Sequence, residues 1–278
     1  MINADDLERR ASRLDGVPPV IARFLLEQGH LGVLVAAARE GEWFCAKVAV
    51  GELLRRGEPE AAWEAISPYA DTGWWDAVEG AAGVLEALGR AAEAIALVRA
   101  QVDGGNWVAR PVLAGLLARN GRVDEAIELL RPDLDEVFLL RALVETTEGH
   151  GRDAEVAALL RPLVENETCC GNREALIQLS RVLERQGCAD EAAVLLRSRI
   201  DADFKHVVHV GVVKELGELL VRQDRLAELR AFVAEPQGEH ALSVLATRLD
   251  ELGRVDEAVA LLRPRAADGR HRAAGSLV

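Results

Sequence analysis

Few residues in this chain have types and spacing that could do chemistry. His206 and His209 lie three apart in FKHVVHV, with Asp201 and Asp203 just upstream. On a helix the two imidazoles would share one face. They could hold a metal, but a zinc site needs further ligands that the segment does not assign. Two structural histidines and no metal are therefore expected. Cys169 and Cys170 are adjacent in ETCCGN. Adjacent cysteines do not easily close an unstrained disulfide, so they read as two incidental thiols in a connection. Acidic pairs such as Asp190 and Glu191 resemble acid–base couples, but they recur with a repeat and read as helix-start acids. No P-loop, GxSxG, HExxH or dinucleotide fingerprint is present. No catalytic residue, cofactor or metal is expected, and the chain reads as non-enzymatic.

Composition narrows the setting. The chain is 50% hydrophobic but only 4% aromatic, with one Met, so its apolar mass is Ala, Leu and Val, which suits close helix packing. Net charge is −13, a field that weakens any phosphate-binding surface, so nucleic acid is disfavoured as a partner. No apolar run reaches the length of a transmembrane helix, and no membrane partner is expected. MINADDLERR has acids before any basic residue and no apolar stretch, unlike a signal peptide. Four Cys without framework spacing fit a reducing cytoplasm.

The segments that must position any site are repeats. GRVDEAIELLRP begins at Gly121 and GRVDEAVALLRP at Gly253. Related strings begin at Gly89, Gly151 and Gly187, and weaker ones at Gly29, Gly57 and Asp224. The anchors are spaced 28, 32, 32, 30, 36, 37 and 29 residues apart. Upstream of each, apolar or small residues recur at the 3-4-3 spacing of one helix face, as in Arg110, Leu113, Ala114 and Leu117, or Leu176, Leu179, Ser180 and Leu183. Downstream, Ala126, Leu129 and Leu130 mark a second amphipathic helix. The anchor glycine closes the first helix in a left-handed conformation. Acids such as Asp124 and Glu125 start the second, Arg131, Arg161, Arg197 and Arg263 end it, and Pro132, Pro162 and Pro264 stop it.

These segments resemble tetratricopeptide repeats, above all in the Gly-x-x-x-Glu-Ala core, and look closest to the Ala- and Arg-rich kind common in actinobacterial proteins. The resemblance implies an all-α, right-handed α-solenoid of about eight helix–turn–helix repeats over 17–268. Residues 1–16 would cap it, with Leu7, Ala11 and Leu14 on one face, and 269–278 would be a truncated ninth repeat or tail. It departs from the family pattern in a shorter second helix and in Leu or Ala at the aromatic positions of the first. The anchor segment is also similar to pentatricopeptide RNA-binding repeats, against which stand the irregular period, short second helix and acidic charge. The family binds proteins and peptides on its concave face, which makes a non-enzymatic binding scaffold with a protein or peptide partner the leading expectation.

Copies two to four share a strict GxW-x7-G-x5-G pattern. Trp43, Trp75 and Trp107 lie at the edge of the core stripe. Gly51, Gly83 and Gly115 follow eight residues later and lie opposite that stripe. A helix-interior Gly costs roughly 1 kcal/mol against Ala, so three in register suggest either recent duplication or a smooth groove floor. The expected concave binding face comprises Phe44, Gly51, Gly83, Gly115 and Arg119, with Trp43, Trp75 and Trp107 at the rim and Phe138 and Arg141 at the equivalent positions of copy five. The same wheel positions continue through Glu145, Glu174, Arg181, Arg185, Lys214, Glu218 and Arg222. Two rival functions remain: an enzyme or accessory protein with a small-molecule or peptide pocket in the Trp-rich copies, and a structural element that self-associates through its C-terminal end, where Leu261 and Leu262 would be partly open and Leu277 and Val278 would engage another chain.

Overall fold

The chain reverses direction at each anchor because one residue there takes a left-handed conformation. Gly121 has φ of 76°. Its N–H donates to Ala118 O (2.9 Å) and that of Arg122 to Leu117 O (2.8 Å), closing the preceding helix. Asp224, with φ of 54°, does the same without being glycine: its N–H donates to Val221 O (3.0 Å) and that of Arg225 to Leu220 O (2.8 Å). The other six anchors also have positive φ.

The computed structural model describes residues 3–165, 172–203 and 210–267, and among them it is all-α, without a strand. Helix α1 spans Ala4–Arg13. Hairpins follow around the anchors: α2 (Pro19–Glu27) with α3 (Leu31–Arg39), α4 (Trp43–Arg55) with α5 (Pro59–Ala70), α6 (Trp75–Ala87) with α7 (Ala91–Asp103), and α8 (Ala109–Arg119) with α9 (Val123–Leu130). After a 3-10 turn at Arg131–Asp133 come α10 (Val137–Thr146) with α11 (Asp153–Glu165), α12 (Asn172–Arg185) with α13 (Ala189–Asp203), α14 (Val210–Arg222) with α15 (Leu226–Ala234), and α16 (Leu242–Glu251) with α17 (Val255–Ala267). A second 3-10 turn, Pro236–Ala241, joins α15 to α16. Within each of two compact units, successive helices and hairpins pack against their neighbours in sequence, as helical repeats do. The chain divides into two compact units, 1–132 and 133–278.

The core is the face that the spacing marks out. Leu113, Ala114 and Leu117 are buried, as are Leu176, Leu179, Ser180 and Leu183, and so are Ala126 and Leu130. In the first unit, α1 packs on α4 through buried Leu7. Arg10 pairs with Glu42 at 2.8 Å, and Trp74 Nε1 donates to Glu8 Oε2 at 2.6 Å. Leu14 does not join this face: α1 ends at Arg13, and Leu14 takes the left-handed cap and stays exposed.

Proline does not stop every second helix. Pro162 lies inside α11 and Pro264 inside α17, as Pro68 does inside α5. The residues beyond the ring supply the reason: Tyr69 and Ala70 are core, and Leu163 and Val164 are half-buried, so continued packing offsets the lost hydrogen bond. Only Pro132 follows its helix end. Arg161, Arg197 and Arg263 also sit within their helices instead of ending them.

Candidate functional site

In the first unit the register glycines of α4 and α6 do face open space. A Cβ built on Gly51 or Gly83 would meet nothing within 4 Å. On α8, a Cβ on Gly115 would stand 3.0 Å from Arg119 Nη1. Arg119 crosses to α6 and binds Glu86 through Nη2 at 2.8 Å and Nε at 3.1 Å, which raises its pKa. Phe44 and Trp75 are half-buried, and Trp107 is exposed. Trp43 is not at a rim. It is buried, with its ring 4.7 Å from that of Trp74 and 5.5 Å from that of Tyr69, whose hydroxyl donates to Ala38 O at 2.5 Å. The helical wheel places the three Trp alike; what differs is that Trp43 meets Tyr69 of its own hairpin and Trp74 just ahead of the next. Phe138 and Arg141 belong to the second unit.

In the second unit the first helices α10, α12, α14 and α16 line two cavities. One, of about 420 Å³, lies among Arg141, Glu145, Glu174, Arg181, Lys214 and Glu218. The other, of about 430 Å³, lies among Lys214, Glu218, Arg222, Thr247, Arg248 and Glu251. Lys214 and Glu218 border both. Residues on the outer face of successive first helices thus line these cavities together. Arg185 is the exception: it turns away to donate to Asp153 (2.6 Å) and Val144 O (3.1 Å), tying α12 to the preceding hairpin.

Ion pairs stitch this surface across helices. Arg141 binds Glu174 at 2.6 Å, and that hydrogen bond holds the Glu174 carboxyl below its usual range. Arg181 and Arg222 each reach Glu215 at 2.8 Å, and Arg222 also reaches Glu184 at 2.8 Å. Glu215 is buried and fully engaged, which gives this surface a fixed charge pattern. Sequence reasoning missed Glu215 and Arg248. The partners of Glu215 include Arg181, 34 residues away, so no local pattern marks it. Among the described residues Lys214 has no ion-pair partner.

The candidate metal and redox residues His206, His209, Cys169 and Cys170 lie outside the described residues. Of the other cysteines, Cys188 is exposed and Cys45 is buried, its thiol pushed up by burial and then by Glu42. Among the described residues no group of three or more His, Cys, Asp or Glu side chains could hold a metal ion, and no helix is long and apolar enough to cross a membrane.

No protein-family model matches the chain. No curated protein matches it. Among solved structures it is similar to a chain in the structure of Naa15/Naa10 bound to HypK-THB, at 16% identity and a TM-score of 0.36 over 79% of this chain. The match spans 35% of the length of that chain. The surface is open and lined by side chains of alternating charge.

Proposed function

We propose that this chain is a non-enzymatic scaffold that binds a protein or peptide on the face formed by its first helices. It would be an Ala- and Arg-rich tetratricopeptide-like protein of the bacterial cytoplasm. The observation that carries the reading is the pair of adjacent cavities bordered by Lys214 and Glu218. A peptide laid across α12, α14 and α16 would pass over an ion-paired, pre-ordered surface, so little side-chain ordering is left to oppose binding. Lys214 is its natural anchor for a carboxylate or carbonyl.

A second location is favoured by the open glycines. Gly51 and Gly83 let a ligand backbone approach α4 and α6, with Phe44, Trp75, Gly115, Arg119 and Trp107 around them. Both locations are faces of first helices, and one experiment separates them. Partners are recovered from the native host with the full chain as bait, and their affinity is then measured against two variants. Lys214→Glu should weaken binding about tenfold if the second unit holds the partner. Gly83→Leu should do so if the first unit does, while leaving helicity intact and raising stability by roughly 1 kcal/mol. Full affinity in both variants would remove the first-helix face as the site. Self-association through 269–278 would appear in sedimentation of the full chain; Leu262, just before it, is buried and Leu261 half-buried, so that apolar pair is less open than its place beside a truncated repeat suggests.

A further inference from the structure

On the opposite side of the repeats, second helices are tied to one another by a recurring ion pair. Arg99 of α7 reaches Glu125 of α9 at 3.5 Å, and Arg161 of α11 reaches Glu191 of α13 at 2.8 Å. In each case the Arg follows its anchor by ten residues and the Glu follows the next anchor by four. Arg197 and Glu228 occupy those positions on α13 and α15. They do not meet. Arg197 binds Glu235 and lies 3.6 Å from Asp201, while Glu228 is taken by Arg225 at 2.7 Å. The ties between α13 and α15 have moved to the ends of the helices. Arg225 binds Asp190 at 2.8 Å at one end; Arg197 with Glu235, and Gln237 with Asp201 at 3.4 Å, close the other. The two anchors concerned, Gly187 and Asp224, are 37 residues apart, the widest spacing in the chain.

Between those ends lies a cavity of about 660 Å³, within the size range of ligand sites. Its floor is Leu216 and Leu220 of α14 with Phe232 of α15, and its walls include Ala193, Val194 and Ala231. Val194 is 68% exposed, an uncovered aliphatic side chain on a helix whose other outward residues are mostly polar. The ends are charged. Asp190 and Glu228 share Arg225, and Asp201 and Glu235 share Arg197. Each end thus carries two carboxylates against one guanidinium, an excess of one negative charge. Asp190 and Asp201, eleven residues apart, set the ends about 16 Å apart along α13.

We propose that this cavity docks an apolar helical segment of a partner protein that carries a Lys or Arg at each end, spaced to meet the two acidic ends. The apolar face of that segment covers Val194 and Ala231, and its cations take the carboxylate capacity that Arg197 and Arg225 leave unused. The site is separate from the first-helix face.

The test uses the full chain and a fluorescein-labelled synthetic helix of about twelve residues, built from Ala and Leu pairs with Lys at each end. Fluorescence polarisation should show saturable binding that weakens with salt. The same probe with Glu at each end should bind at least about tenfold more weakly. Val194→Arg, at an exposed position, should reduce affinity about tenfold with an unchanged circular dichroism spectrum, and Ala231→Arg serves the same purpose if the first variant misfolds. Lys214→Glu should leave affinity within about twofold. Equal binding of the two probes, full binding by both cavity variants, or loss mapping to Lys214 would overturn the proposal. So would a dimer of the wild-type chain that Val194→Arg abolishes, because a second copy would then be the occupant.

Discussion

Glu52 is held by two guanidinium groups at the end of its helix: Arg55 Nη2 and Nε of the capping Arg56 each lie 2.7 Å from its Oε1. Hydrogen bonds from Arg55 and then Arg56 pull its carboxyl from an ordinary 4.5 down to about 2. A carboxyl whose folded-state pKa is depressed contributes stability above its unfolded value and loses it as pH falls through the folded value. The window for Glu52 therefore runs from about 4.5 down to about 2. Urea midpoints across that range should fall more steeply for the wild-type chain than for Glu52→Gln. The difference should shrink in high salt, since Arg55 is exposed and its charge is screened. Parallel curves for the two proteins would show that the triad contributes nothing. Residue-level chemistry of this kind is partly legible in the sequence, because Glu52, Arg55 and Arg56 are three and four apart. The Glu215 cluster is not, because Arg222 lies seven residues along its own helix while Arg181 comes from α12, 34 residues away.

At the scale of elements, the anchors were readable because one residue in each must reverse the chain, and the Gly-led strings announce it. Asp224 fulfils the same role, and its neighbours made it recognisable despite the missing glycine. The proline rule failed for a physical reason. It weighs the lost hydrogen bond but not the packing of residues beyond the ring. Pro162 is exposed, and α11 runs on to Glu165. Pro162→Ala should restore a bond toward Ala158 O and stabilise the chain by about 1 to 3 kcal/mol, less the entropy that proline removes from the unfolded state. Thermal melts check this; a variant no more stable than wild type would mean that α11 is already relaxed around the ring. Helix faces were legible from periodicity, as Leu176, Leu179 and Leu183 show. What each face meets was not. Trp43 is core because Trp74 and Tyr69 come from neighbouring elements, and the pattern GxW-x7-G-x5-G holds no information about that.

For the whole molecule, the excess of negative charge favours partners with basic segments and should make their association faster at low salt. Fold-level organisation also makes a prediction about autonomy. Repeat arrays are stabilised mainly by contacts between neighbouring repeats. The first unit, 1–132, contains α1 and the hairpins from α2 to α9. It begins with a helix held by Leu7 in the core, by the Arg10–Glu42 pair and by the Glu8–Trp74 hydrogen bond. Its aromatic cluster of Trp43, Tyr69 and Trp74 is complete within it. A fragment ending at Pro132 should therefore fold alone. Its far-ultraviolet circular dichroism should be helical, and urea should unfold it in one cooperative transition. Its m-value should be smaller than that of the full chain, because m scales with the surface exposed on unfolding. Glu8→Ala and Arg10→Ala should lower the midpoint of the fragment, because they release α1 from the array. A coil spectrum for the fragment would show that the compact unit cannot stand by itself, and a midpoint untouched by both substitutions would show that α1 contributes no stability to the repeats it covers.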